Sequence, residues 1–140
     1  MRHLNVLALG FFFCLAAMAD FKILNNAAEF NSLVQTAEVP VVVQFSAYWC
    51  GPCQELRATF SEVAHEFTDN QVILAYVDAY ENPELKSYLQ GGYPTVRTFT
   101  HGKLAEKSFV GSNTTEYVRS FIKSAIGAQD DAPIGGFCAL

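Results

Sequence analysis

Two cysteines three positions apart, in the run Trp49-Cys50-Gly51-Pro52-Cys53, stand where an apolar stretch from Val39 to Phe45 gives way to a helix-like pattern. One helical turn separates such thiols, close enough for one to reach the other. Pro52 suits an early helical position, where its missing N–H costs no hydrogen bond, and Gly51 removes crowding beside the first sulfur. Cys50 is therefore expected at the helix start, with free N–H groups aimed at its sulfur. A helix terminus stabilises an adjacent anion by about 0.3 to 1 kcal/mol, or roughly 2 when partly buried, against about 1.4 kcal/mol per pKa unit. The dipole alone can lower this thiol pKa by about one unit. Three chemistries fit such a pair: a redox couple, a structural disulfide, or half of a zinc site. Zinc needs four ligands, and the chain has no second Cys-x-x-Cys and no His-x-x-x-His. The strand-to-helix context favours the redox couple, in which Cys50 attacks a substrate disulfide and Cys53 resolves the mixed disulfide.

The chain has 140 residues, 51% hydrophobic and 16% charged, which suits a single core. A net charge of −5 offers no basic stripe and argues against nucleic acid as a partner. At the N-terminus, Arg2 and His3 precede an apolar run from Leu4 to Ala17, and Ala17-Met18-Ala19 has the small-x-small form of a cleavage site. Residues 1–19 are expected to be a signal peptide, residues 20–127 the folded domain and residues 128–140 a flexible tail. Cys14 follows Phe13, without the small residue of a lipobox, and is expected to leave with the signal. Export places the domain in an oxidising compartment, a secretory lumen, the outside or a bacterial periplasm, among disulfide-bearing proteins and without membrane insertion after cleavage.

Beyond the leader, strands and helices alternate. Phe21 to Leu24 reads as a strand, Asn26 with Glu29 as a capping box for a helix with Phe30, Leu33 and Val34 on its inner face, and Val41 to Ala47 as a buried strand. Leu56, Phe60, Val63, Ala64 and Phe67 form the apolar face of the helix after Cys53. Val72 to Val77 is a further strand, and Asn82-Pro83-Glu84 reads as the cap of a short helix. A hairpin is expected from Thr95 to Thr100 and Lys107 to Val110, turning at His101-Gly102-Lys103. The last helix runs from about Thr114 to Ile126, with Val118, Phe121, Ile122 and Ile126 inward and Asn113 with Glu116 as its cap.

These residues resemble the thioredoxin family over roughly Phe21 to Ile126. The resemblance rests on Trp49-Cys50-Gly51-Pro52-Cys53, on Tyr93-Pro94-Thr95, which is similar to the family's cis-proline loop, and on Gly111. It implies an α/β fold with a central mixed sheet flanked by helices on both faces, an enzyme of thiol–disulfide exchange that needs no cofactor, and a substrate groove at Tyr93, Pro94 and Thr95. It implies disulfide-containing proteins as substrates and an electron-donating reductase as partner. Tyr76-Val77-Asp78-Ala79 and Gly92-Tyr93-Pro94-Thr95 are also similar to protein disulfide isomerase domains, so an oxidase or isomerase stays open, as does a client-binding module with incidental redox activity. Gly51-Pro52 between the cysteines favours the reductase.

The chain departs from the family at the buried proton-relay position, where Gln44 replaces an acid, and at Tyr76, where a lysine often pairs with that acid. Losing both charges is coherent, because removing one strands the other in the interior. Gln54 and Ala58 stand where a lysine and a helix-kinking proline are common. Trp49 is read as a shield and contact surface, Tyr48, Tyr80 and Tyr88 as packing or surface residues, and His65 and His101 as surface residues. Cys138 leaves an odd thiol after leader removal; it can bridge two otherwise monomeric chains, regulate the site, or do nothing. Asn113-Thr114-Thr115 also fits a glycosylation acceptor.

Overall fold

A computed structural model describes residues 17–109 and 111–127. The expectations for the leader before Ala17, for Val110, and for the tail with Cys138 lie outside the described residues. Five strands, β1 (Phe21–Leu24), β2 (Val41–Ser46), β3 (Ile73–Asp78), β4 (Thr95–Thr100) and β5 (Lys103–Ser108), form one sheet in the order β1-β3-β2-β4-β5. The first three run parallel, β4 is antiparallel to β2, and β5 is antiparallel to β4, which gives the mixed sheet expected. Every residue of β2 is buried, as an apolar, β-branched strand between two neighbours must be.

Alternation along β2 divides the interior. Val42, with Leu74 and Val96, packs beneath helices α2 (Gly51–Ala64) and α3 (Thr115–Gly127) through Leu56, Phe60, Val63, Val118 and Ile122. Val41, Val43 and Phe45 face helix α1 (Ala27–Thr36) and a 3₁₀ helix at Pro83–Tyr88, packing with Phe30, Val34, Leu85 and Phe99. Gln44 shares the α2 side with Val42, so one amide enters an otherwise apolar layer. Ahead of β1, the Ala19 N–H donates to the Phe67 carbonyl at 2.9 Å, Met18 bridges Thr68, and Ala19 is buried against α2.

Local chemistry accounts for the element ends, with some adjustments. Asn26 Oδ1 accepts the Glu29 N–H at 2.9 Å, but the Glu29 carboxylate returns to the Asn25 N–H, one residue earlier than in a capping box. Asn82 does not cap the helix that follows it: its Oδ1 accepts the Ala27 N–H and its Nδ2 donates to the Asp78 carbonyl, tying α1 to the end of β3. The hairpin turns over His101 and Gly102 alone, both at positive φ as a two-residue loop requires, so β5 begins at Lys103 and ends at Ser108 rather than spanning Lys107 to Val110. At α3 the Tyr117 N–H is accepted by Thr114 Oγ1, not by Asn113, and Ala125 rather than Ile126 completes the buried stripe. Phe67 is buried as expected but lies beyond the end of α2.

Candidate active site

Chain direction and helix chemistry place the two sulfurs. Strand β2 delivers the chain to the C-terminal end of the parallel strands, the Cys50 N–H donates to Ala47 O at 3.0 Å, and Cys50 becomes the N-cap of α2. Its Sγ accepts the Cys53 N–H at 3.2 Å, where a serine or aspartate oxygen usually serves a cap. Gly51 opens the helix and Pro52 occupies its first turn without loss of a hydrogen bond. A Cβ at Gly51 would meet nothing within 4 Å, so the space beside the sulfur is open. Cys50 and Cys53 are joined as a disulfide with their Cα atoms 5.3 Å apart. Cys50 is 5% exposed and Cys53 is fully buried, so solvent and any partner reach the pair through Cys50.

The loop before β4 closes the site from the other side. The Tyr93–Pro94 bond is cis, and Tyr93 packs against Ala47, Cys50 and Cys53. Thr95 holds this loop: its hydroxyl donates to Gly92 O at 2.7 Å and accepts the Gln90 N–H at 3.1 Å. Gly91 and Gly92 sit at φ 77° and 142°, where a side chain would be strained. Trp49 stands edge to face with Tyr93, centroids 5.9 Å apart, and is mostly exposed. Burial raises the Tyr93 phenol above its ordinary range, with Asp78 and Tyr80 adding to the rise.

Behind the sulfurs lies Gln44. Its Nε2 donates to Cys53 O at 2.8 Å and to Ser46 Oγ at 3.0 Å, so both amide hydrogens are used and the strand is pinned to the first turn of α2. Its Oε1 is buried without a protein partner. The β2–β3 register sets Gln44 opposite Tyr76, and the Arg57 guanidinium lies over the Tyr76 ring, 4.8 Å from its centre. Burial pushes the Tyr76 phenol up and Asp78 adds to this, while Arg57 and the Ser46 hydroxyl pull it back. Sequence reasoning paired positions 44 and 76 but missed Ser46 and Arg57. Arg57 lies four residues after Cys53 on the polar side of α2, and its partner is set by packing across the sheet.

Tyr48 and Tyr80 join the rim, each in an edge-to-face contact, whereas Tyr88 is a core residue stacked on Phe45. His65 and His101 lie at the surface, away from the disulfide. Among the described residues no group of three or more His, Cys, Asp or Glu is arranged to hold a metal, and no helix is long and apolar enough to cross a membrane. A hollow of about 140 Å³ between β5 and α3, lined by Lys107, Tyr117 and Phe121 among others, shares no residue with the site.

The thioredoxin family model matches residues 21–124. Protein disulfide isomerase-like 1-4 of Arabidopsis thaliana is 38% identical over 88 residues, which are 62% of this chain and 14% of that protein. The mitochondrial thioredoxin of Bos taurus is 32% identical over 105 residues, 74% of this chain and 62% of that protein. The chain thus spans between about a seventh and about three fifths of the length of these relatives. Among solved structures, a mutant thioredoxin from Halobacterium salinarum NRC-1 superposes with a TM-score of 0.65 at 28% identity, covering 79% of this chain and 95% of that one. With its cis-proline loop, its mixed sheet and a disulfide at the mouth of α2, the chain belongs to the thioredoxin family and carries that family's redox pair, Cys50 and Cys53.

Proposed function

We propose that this chain is a thiol–disulfide oxidoreductase that reduces or exchanges disulfides in proteins. The observation that carries this reading is the asymmetry of the pair: Cys50 caps α2 and keeps a small exposed area, while Cys53 is sealed one turn deeper. In the reduced protein the Cys50 thiolate attacks one sulfur of a substrate disulfide. A Cys50–substrate bond forms, the substrate bond breaks, and the first substrate thiolate leaves to take a proton. Cys53 then loses its proton and attacks Cys50 Sγ, restoring the internal disulfide and expelling the second thiol. Two electrons pass to the substrate, and an external dithiol reductant resets the site. Tyr93, which packs against the two cysteines and precedes the cis bond to Pro94, supports a groove in which an extended substrate segment pairs with the Tyr93 backbone.

Gly51-Pro52 supports net reduction, and the leader supports export to a secretory compartment. With dithiothreitol as electron source the protein is expected to reduce insulin, Cys50→Ser to abolish the reaction, and Cys53→Ser to accumulate mixed disulfides on Cys50. An inactive reduced wild type overturns the proposal. Because one relative is disulfide isomerase-like, the direction is tested separately: a potential near about −270 mV supports a reductase, and one near about −180 mV an isomerase. Microscopy of the tagged full-length chain tests the address, and mitochondrial staining overturns export.

A further inference from the structure

Three rings around the disulfide stand in water: Tyr48 is 63%, Trp49 58% and Tyr80 46% exposed. They form a continuous chain, Tyr48 against Tyr80, Tyr80 against Trp49, and Trp49 against Tyr93, with centroids 5.8 to 5.9 Å apart and the Trp49 contacts near 90°. Tyr80 is held in this row by Asp78, whose Oδ1 accepts the N–H groups of Tyr80 and Glu81 at 2.9 and 3.0 Å. Such rings accept either apolar side chains or cations on their faces. Charge decides between them. The segments that carry the rings, residues 47–50, 79–82 and 91–94, hold no lysine or arginine and one acid, Glu81. Asp78 stands immediately before Tyr80's loop, its charge reaches the Tyr93 phenol, and Arg57 is engaged over Tyr76 instead. The chain as a whole carries −5. An acidic segment is repelled here, and an apolar one brings no charge to meet the two carboxylates.

We infer that this aromatic and acidic rim selects, among the disulfides that Cys50 attacks, those whose cysteine is flanked by arginine or lysine in an extended basic segment. The inference rests on the thiol–disulfide reading above and adds its substrate class. A flanking guanidinium seats on the Trp49 or Tyr80 ring while Asp78 and Glu81 supply the opposite charge. Exposed contacts of this kind are each worth a factor of about two to five, so two together give about tenfold.

The test uses two peptides, each a mixed disulfide with a thionitrobenzoate group, one with arginines and one with glutamates beside the cysteine. Thionitrobenzoate release by the reduced protein is divided by the rate with dithiothreitol, which removes intrinsic reactivity. The expected ratio of kcat/KM is about tenfold in favour of arginine at low salt. It is expected to fall to about threefold or less in Tyr48→Leu, Tyr80→Leu protein of unchanged circular dichroism. Trp49 is the chain's one tryptophan, so its fluorescence should also respond to the arginine peptide with serine in place of cysteine, and not to the glutamate peptide. Equal normalised rates on both peptides overturn the inference and leave the oxidoreductase standing. A preference unchanged in the double variant overturns the role of the rings, and no reaction with either peptide overturns both readings.

Discussion

Two aromatic arrays in this molecule are built from the same contacts and stand in opposite solvents. Under α1, Phe30, Phe45, Tyr88 and Phe99 meet in stacked, tilted and edge-to-face pairs 5.3 to 6.4 Å apart, with all three phenylalanines buried. At the disulfide, Tyr48, Trp49, Tyr80 and Tyr93 meet at 5.8 to 5.9 Å, and most of that surface faces water. Ring geometry alone therefore says nothing about role. In the first array the rings' burial supplies stability. In the second the surface left uncovered is available to a partner beside a reactive sulfur.

The sharpest break between the two is chemical. Cys50→Ser should lower disulfide reduction by at least about a thousandfold, since a hydroxyl at its ordinary pKa cannot replace the thiolate, and the insulin assay reads it directly. The reduced variant should keep the wild-type midpoint in urea. Next, Phe30→Ala should cost about 3 to 5 kcal/mol in chemical denaturation, while the fraction that stays folded reduces insulin normally. Trp49→Ala should reverse that pattern, changing stability by no more than about 0.5 kcal/mol and slowing insulin reduction severalfold. If Trp49→Ala destabilises as much as Phe30→Ala, the distinction between the arrays fails.

A smaller effect is expected behind the sulfurs. Gln44→Asp places an ionisable group under Cys53, so the resolving step should speed up near neutral pH and acquire a new pH dependence in rapid-mixing kinetics. An unchanged pH profile removes position 44 from the proton path. Smallest of all is a surface pair remote from both arrays. Arg119 on α3 forks onto Glu66 and its hydrogen bond holds that carboxyl below the ordinary value of 4.5. A lowered folded pKa means stabilisation that is present above the unfolded value and lost as pH falls through the folded one. Glu66→Gln should therefore slightly reduce the fall in Tm between about pH 6 and about pH 3.

What could be read in advance follows the range of the interaction responsible. The run 49–53 announces a helix start, a thiol at its mouth and a second thiol one turn in, because capping and helical rise act over a few residues. The apolar periods of α1, α2 and α3 and the largely apolar, β-branched run of β2 were equally legible. Asn82 shows the limit: Asn-Pro-Glu is a good local cap, yet the amide bonds to Ala27, 55 residues away, because a buried N–H there needs an acceptor. The β5 boundary was missed for a related reason, since pairing with β4 and not local composition sets where that mostly exposed strand begins.

By itself, then, the order of residues determined the redox pair, the cis-proline loop's position and the alternation that builds a mixed sheet. It also showed uncharged residues, Gln44 and Tyr76, at two positions where the resemblance leads one to expect an acid and a lysine. Only the tertiary structure decided that Gln44 holds the Cys53 carbonyl, that Arg57 covers Tyr76, and that Tyr48 and Tyr80 continue the Trp49 surface. The reason is physical: a cap or a turn is settled among neighbours, whereas which side chains meet across a sheet depends on register and on the summed packing of segments dozens of residues apart.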